Sequence, residues 1–282
     1  GKGTWIGNQV IGAVTATVTD GTASSLTQNW SLSDLTAQAN IAFTSAGPLV
    51  QTLQLRAGEA LAAGIVLRNL TLDAVGDEQQ RLTINRASVD ALGGRLALRP
   101  FTLNPTKLEI DTTAEMEGVA LGKLADFVPQ ALREASGQMS GRVAVRWSAQ
   151  LGAQPGGGSL TVEPATPASI RLAATPGFLT QHATEKIQWL PDAFGPVARW
   201  LAVENPAYDT LRRIELGDMP LEVETLRVSL FPDGPNGARS AVVEVVARPA
   251  TGAAVEKVSF TLNVSGPLDE VLRLGSDERV KL

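Results

Sequence analysis

Apolar and polar residues alternate along most of this chain, which is the pattern of β-strands that bury one face. The alternation fills residues 1–118, returns over 139–172 and closes the chain over 221–264. Two changes of phase, at Asn69 and near Thr225, predict irregular strands, and the second is explained by a β-bulge that inserts one residue. The pattern therefore predicts a mainly β fold with minor α, built on a curled antiparallel sheet with one apolar and one polar face.

A pair of glycines, Gly93–Gly94, interrupts the alternation between Ala87 and Pro105. A glycine inside a strand pattern marks a bulge or a bend, and a sheet that curls over many strands needs such bends. A tight hairpin turn at the same pair explains the pattern equally well. Both interpretations are open on the sequence alone.

Two stretches leave the alternating pattern. Residues 119–135 carry apolar side chains at helical spacing and predict an amphipathic helix, which Pro129 should kink or shorten. Residues 178–214 predict a helical insertion that is broken by prolines. No linker divides the chain, so residues 1–282 are predicted to form a single elongated β-rich unit.

The composition narrows the class of protein. The chain has 27 Gly and 16 Pro but only seven Phe and one Tyr, which suits a wide sheet filled by aliphatic side chains. A net charge of −5 argues against a nucleic-acid partner, because such proteins need Lys and Arg to neutralise phosphates. The longest uncharged apolar run, residues 60–67, is far short of the roughly 20 residues that span a bilayer.

Residues for catalysis are lacking. His182 is the only histidine, there is no cysteine, and no GxSxG nucleophile elbow occurs. The clustered carboxylates near strand starts and turns do not have the spacing of a calcium-binding loop. We therefore predict that the protein is not an enzyme and uses no cofactor or metal.

The apolar face of the sheet is the candidate binding surface. Two sheets packed face to face would cover it, as in a sandwich, whereas one curled sheet would leave it open as a gutter for acyl chains. The residues of apolar parity that we expect to line such a groove are Leu70, Leu72, Leu96, Leu98, Leu108, Ile110, Val143, Val145, Phe260 and Leu262.

Several segments, taken in order, resemble a known family. VDALGGRLALRPFTLNP is followed by LEIDTTAEMEGVALGKLADFV, SGQMSGRVAVRW, ATPASIRLAATPGFLT and finally FTLNVSGPLDEVLRL. These runs are similar to the C-terminal region of YdbH-type proteins of the AsmA-like superfamily. The resemblance covers roughly residues 50–275, and it rests on the order and spacing of the motifs.

The resemblance implies a specific role. Proteins of this family are envelope proteins of double-membraned bacteria, anchored in the inner membrane by an N-terminal helix, with a gutter-like β-structure that carries phospholipid between membranes. We thus expect a periplasmic, non-enzymatic lipid-binding or lipid-conducting segment whose anchor lies in an N-terminal part absent from this chain. Phospholipid or another acyl-chain lipid is the expected ligand, and an outer-membrane or periplasmic protein is an expected partner.

Two other functions are open on the sequence. One is a structural or adaptor domain with a closed sandwich. The other is a small-molecule binding domain, because an older label of the family names dicarboxylate transport. A dicarboxylate site should bring at least two Arg or Lys side chains together in a pocket.

Overall fold

A large antiparallel sheet dominates the fold. The computed structural model describes residues 2–6, 9–25, 30–44, 47–62, 65–104, 107–126, 128–129, 131–148, 152–187, 203–231, 239–250 and 253–265. The strands of the first part are β1 (Lys2–Ile6), β2 (Gln9–Ser25), β3 (Trp30–Thr44), β4 (Gly47–Ala62), β5 (Ile65–Gly76), β6 (Leu82–Ala91), β7 (Gly94–Leu98), β8 (Phe101–Leu103) and β9 (Glu109–Ala120). The remaining elements are α1 (Leu121–Ala125), β10 (Leu132–Ser136), β11 (Gln138–Ser148), β12 (Gly152–Val162), β13 (Ser169–Leu172), β14 (Lys186–Ile187), β15 (Val203–Glu204), α2 (Pro206–Glu215), β16 (Leu221–Leu230), β17 (Arg239–Pro249) and β18 (Val258–Ser265).

The strands pair mostly in the order of the sequence. Strands β1 to β7 are successive neighbours, followed by β9, β11, β12 and β16 in one 16-stranded sheet. Strand β16 also pairs with β17, which pairs with β18, and its first residues pair with β13, the neighbour of β10. Among the described residues, nothing pairs with the outer edge of β1, so the sheet is open. The mainly β, antiparallel fold is therefore confirmed, and its long open sheet is consistent with a curl. That residues 1–282 form a single unit stays a prediction.

The helix expected over 119–135 is wrong in its length. Of the described residues in this range, only Leu121–Ala125 is helical; Val119 belongs to β9, and Leu132 begins β10. Proline lacks an amide donor and its ring clashes with the carbonyl four residues earlier, so Pro129 prevents the helix from continuing past Ala125. The helical spacing of the apolar residues arises instead from a strand, one helical turn and a second strand.

The helical insertion expected over 178–214 is wrong at its described beginning and confirmed at its end. Residues 176–182 are turns, and β14 pairs with β15. The final part is helical as expected, with Pro206 at the first turn and the Asn205 side chain accepting a hydrogen bond from the Ala207 amide (3.1 Å). Residues 188–202, which contain most of the predicted helical stripe, lie outside the described residues.

The Gly pair forms a hairpin and not a bend within one strand. Ala91 pairs with Gly94, so Leu92 and Gly93 are the two loop residues, and their φ angles are 54° and 79°. Positive φ at both central positions is the requirement of a type I′ hairpin. An added Cβ at Gly94 would lie 2.4 Å from the Glu117 carbonyl oxygen, so the second glycine permits close packing against β9.

The curl has a local cause in the first strands. Asp20 in β2, Asp34 in β3 and Asn69 in β5 have φ of 52°, 51° and 52°, a conformation that Asp and Asn tolerate better than most residues. In β4 the matching position is Gly58, opposite Asn69 and beside the Asp34 side chain. We call these four residues the crease.

The crease keeps apolar side chains on one face. Leu70 pairs with Ala57 on one side of it, and Leu67 pairs with Ala60 on the other, so the parity changes by one residue at Asn69. Both alanines are buried. Bulges bend a strand and increase its twist, so a line of them across neighbouring strands bends the sheet. The irregularity predicted at Asn69 is present, as is the register shift expected near Thr225.

The main cluster of buried side chains lies in the second part of the chain. It has no member among the described residues before Met116. Its largest fully buried side chains are Met139, Ile170, Ile214, Leu221 and Val245. The turn at 175–180, α1 and α2 pack against the apolar face of β11, β12, β16, β17 and β18.

A buried carboxylate fastens this core. Glu215, at the end of α2, is only 2% exposed. It accepts hydrogen bonds from the amides of Gly177 (3.1 Å), Leu179 (2.9 Å) and Thr180 (3.1 Å) and from the Thr180 hydroxyl (2.9 Å). Burial acts to raise the pKa of Glu215, but these hydrogen bonds outweigh it and hold the pKa below its usual value.

Replacing Asn69 should separate backbone strain from the loss of a side-chain contact. Asn69→Val is expected to reduce the free energy of unfolding by about 1–3 kcal/mol, because a β-branched residue is strained at positive φ. Asn69→Gly is the matched control, since it also loses the hydrogen bond to Asp90 (2.7 Å) but fits this conformation. Urea denaturation measures both; equal stability of the two variants would contradict the role of the crease.

Glu215 should make the stability depend on pH. Because its folded pKa is lowered, its contribution is complete above the unfolded pKa of about 4.3 and is lost as the pH falls through the folded value. Glu215→Gln is expected to cost about 1–3 kcal/mol at pH 7, since an NH2 group replaces one of the two acceptor oxygens and leaves buried donors without a partner. The gap between wild type and variant in urea melts should narrow in acid. A gap that stays constant down to acid pH would refute this account.

Candidate lipid-binding face

Register pairing links apolar side chains of neighbouring strands into rows that cross the sheet. Residues paired in this way lie on the same face. The longest such row, which we call the long row, passes from β2 to β17 through Val18, Ala37, Leu55, Leu72, Ala87, Leu98, Ala114, Val143, Gly158, Leu230 and Ala241. Every member is apolar or glycine, so the sheet presents one continuous apolar face.

The structure brings most of the predicted groove residues onto this face. Leu72, Leu98 and Val143 belong to the long row itself. Leu96 and Leu262 belong to a parallel row, which passes through Leu96, Met116, Gly141, Leu160, Val228, Val243 and Leu262. The same face carries Leu70 in β5, Ile110 in β9, Val145 in β11 and Phe260 in β18.

Three predicted residues have surroundings that differ from the others. Leu108 lies before β9 and not within a strand, with φ of 49° and 43% exposure. The Phe260 ring packs edge-on against Phe178, with centroids 5.6 Å apart, in the covered part of the sheet. Val143 is likewise a member of the buried cluster. The other predicted residues are half-buried.

The first part of the apolar face is uncovered in the described residues. Leu55, Leu72 and Leu98 are each half-buried, and none belongs to the main buried cluster. Between such larger side chains, Ala57 and Ala74 are both only 3% exposed. Small, nearly buried side chains thus lie between larger, half-buried ones on this face. We call this arrangement the trough.

The opposite face is polar and charged. Row partners there include Gln38, Gln54, Asp73 and Arg86, all in register with one another. Cross-strand ion pairs also lie on this face, such as Arg146 with Asp111 (3.4 Å). The two faces therefore differ sharply in polarity, as an amphipathic sheet requires.

A depression of about 280 Å³ on the polar face bears on the alternative that the protein binds dicarboxylates. Arg86 and Arg95 line it, together with Ser88, Glu115 and Glu117. Arg95 donates a long hydrogen bond to the Ser88 hydroxyl (3.4 Å). Two arginines do share a pocket, but two carboxylates in the same lining balance their charge.

Glu115 occupies the centre of a charge network beside this depression. Its Oε1 contacts Arg99 Nη2 (3.0 Å) and Arg142 Nε (3.1 Å). The hydrogen bond from Arg99 and the charges of both guanidinium groups lower the pKa of Glu115. Glu115 therefore shares its single negative charge between two arginines beside the depression.

Sequence reasoning did not select several members of the long row. Leu55 alternates with Leu53 and was available from parity alone. Ala37, Ala87 and Ala114 carry little signal in the sequence, because single alanines contribute little to an apolar pattern. Their positions follow only from the strand register, which links them to leucines on neighbouring strands.

Comparison with protein-family models shows which family the chain belongs to. Residues 1–181 match the YdbH-like family, described as the intermembrane phospholipid transport protein YdbH. The chain belongs to the YdbH-like family. The match includes residues before 50, where the motif resemblance did not extend, and it ends before α2. No curated protein and no solved structure matched the chain.

Membership places this YdbH-like chain in a transport family that is not enzymatic and that acts between membranes. The match contains β2 to β9, and therefore the whole uncovered part of the apolar face. In the described residues, no helix is long and apolar enough to cross a membrane.

The polar depression should not bind dicarboxylates. We expect no saturable heat when succinate is titrated into the chain at pH 7, because Glu115 and Glu117 repel a second pair of carboxylates. As a control, Glu115→Gln combined with Glu117→Gln should gain weak binding that disappears with added salt. Saturable binding by the unmodified chain would favour the small-molecule alternative.

Proposed function

We propose that the uncovered apolar face of β2 to β9 binds the acyl chains of phospholipid while the polar face stays in water. The long row carries this proposal, because it joins half-buried leucines and alanines into a strip with no polar member. The family description supplies the class of lipid. Leu70, Leu72, Leu96, Leu98, Ile110 and Val145 are the proposed contacts among the residues chosen from the sequence.

The chemistry of the face fits a hydrocarbon ligand. Each methylene moved from water into an apolar contact contributes about 0.8 kcal/mol, so long acyl chains gain stability without any specific polar contact. Contiguous exposed apolar surface on a protein usually marks a binding site. A flat or shallow trough of Ala and Leu would hold lipids without distinguishing them finely, as a carrier of bulk phospholipid requires.

We infer that the chain works in the periplasm, since a carrier acting between two membranes has to cross the aqueous space that separates them. An inner-membrane anchor outside this sequence, and an outer-membrane or periplasmic protein partner, stay predictions. The competing structural role requires a second layer over the apolar face. In the described residues, no such layer packs against β2 to β7.

Charges placed on the apolar face should abolish lipid binding. Native mass spectrometry of the purified chain, followed by organic extraction, is expected to show bound phospholipid. Leu55→Asp combined with Leu98→Asp should lose it, because each carboxylate would face hydrocarbon without a partner.

Gln54→Asp combined with Asn85→Asp is the matched control. It adds the same charge at exposed positions on the polar side, so its lipid content should equal that of the unmodified chain. Circular dichroism verifies that both double variants fold. A lipid-free mass for the unmodified chain, with no uptake of phospholipid from vesicles, would contradict the proposal and favour a structural domain.

A further inference from the structure

The apolar face changes character between β9 and β16. In β16, every residue on this side is a member of the buried cluster or packs against it. Those residues are Leu221, Val223, Leu226, Val228 and Leu230. On β5, Leu72 belongs to the same long row as Leu230 but lies outside the cluster. Within the part of the chain that the structure describes, one face is therefore uncovered at one end of the sheet and covered at the other.

Three segments cover this end of the apolar face. They are the turn at 175–180, α2 itself and the loop at 253–257, and together we call them the cap. Its contacts with the sheet come from Phe178, Leu179, Leu211, Ile214, Ala253 and Val255.

Polar contacts at the two ends of α2 hold the cap together. The Glu215 carboxylate binds the turn through the four hydrogen bonds described above, and the Thr175 amide donates to the Glu215 carbonyl (2.8 Å). Near the other end, the Ala254 amide donates to the Thr210 hydroxyl (3.2 Å). Glu215 and Thr210 are both buried, so these contacts are shielded from water. The three segments of the cap are therefore hydrogen-bonded to one another as well as packed on the sheet.

We propose that the cap is the closed end of the lipid groove, so that acyl chains occupy the face of β2 to β9 and do not pass over β16. This inference rests on the proposed function. Phe178, Leu211 and Ile214 pack within the same buried cluster as the apolar residues of β16, and the Phe178 ring contacts Phe260 of β18. Lipid consequently enters and leaves along the uncovered strands, and Glu215 is the positioning residue that keeps the closed end shut.

Photo-crosslinking at two positions of the long row tests the closed end. A leucine-sized diazirine amino acid replaces Leu72 or Leu230 in the whole chain, which is mixed with phosphatidylethanolamine–phosphatidylglycerol vesicles containing radiolabelled phosphatidylethanolamine. After irradiation, we expect label on the chain with the probe at 72 and background label with the probe at 230. The two positions are both half-buried leucines, so exposure alone does not separate them.

The outcomes distinguish the closed end of the groove from the proposed lipid binding on which it rests. Equal labelling at 72 and 230 would overturn the closed end but leave lipid binding intact. No labelling at either position would overturn the proposed function and the closed end together.

Opening the cap provides a second measurement. With the probe at 230, Glu215→Ala is expected to raise the label well above background, whereas labelling at 72 should be unchanged. Glu222→Ala, at an exposed position of β16, is the matched control and should leave both positions as they were. A folded Glu215→Ala chain that stays unlabelled at 230 would refute the positioning role. If that variant unfolds in thermal melts, the comparison of 72 with 230 in the unmodified chain still decides the closed end.

Discussion

Constant parity of the side chains is the constraint on which this structure depends. Successive residues of a strand point to opposite faces, so one extra residue moves all later side chains to the wrong face. Long strands that bend cannot avoid such insertions. Here Asp20, Asp34 and Asn69 take up the extra residue at positive φ, and Gly58 of β4 lies between Asp34 and Asn69. The apolar face stays continuous because the changes of parity coincide in neighbouring strands.

The uncovered part of the sheet has to be stabilised with little help from a core. Half-buried leucines gain only part of the free energy that full burial would provide. Cross-strand contacts on the polar face compensate in part, for instance the Thr71 and Ser88 hydroxyls at 2.8 Å and the pair of Arg99 with Glu115. The covered part, with its buried cluster and Glu215, anchors one end of this sheet. The open apolar face and the buried core thus lie in different parts of the same sheet.

The sequence predicted which face of the sheet a residue lies on better than it predicted whether that face is covered by other segments. Leu72, Leu98 and Val143 fall in one row because period two fixes the face of each residue, whatever the tertiary structure. Whether a face is covered depends on segments far away in the chain, so alternation alone could not separate Phe260 from Leu72. The prediction of a helix over 119–135 was wrong for a related reason, since Val119 and Leu132 match helical spacing while lying on different strands.

The role of Glu215 could not be predicted from the sequence, because a Glu at the end of a short helix is normally solvated. Gly177 and Thr180, which donate hydrogen bonds to it, are distant in sequence.

An open trough also suits the two-part chemistry of a phospholipid. Its acyl chains gain from contact with Leu and Ala, but transfer of its phosphate into an apolar interior would be very costly. A fully enclosed channel would have to provide polar partners for the headgroup along its whole length, and the long row has none. A trough that is open along its side leaves the headgroup in water and requires only hydrocarbon contacts from the protein. A cap at one end is compatible with this mode of binding, because lipid can exchange sideways along β2 to β9 without passing through the end of the sheet.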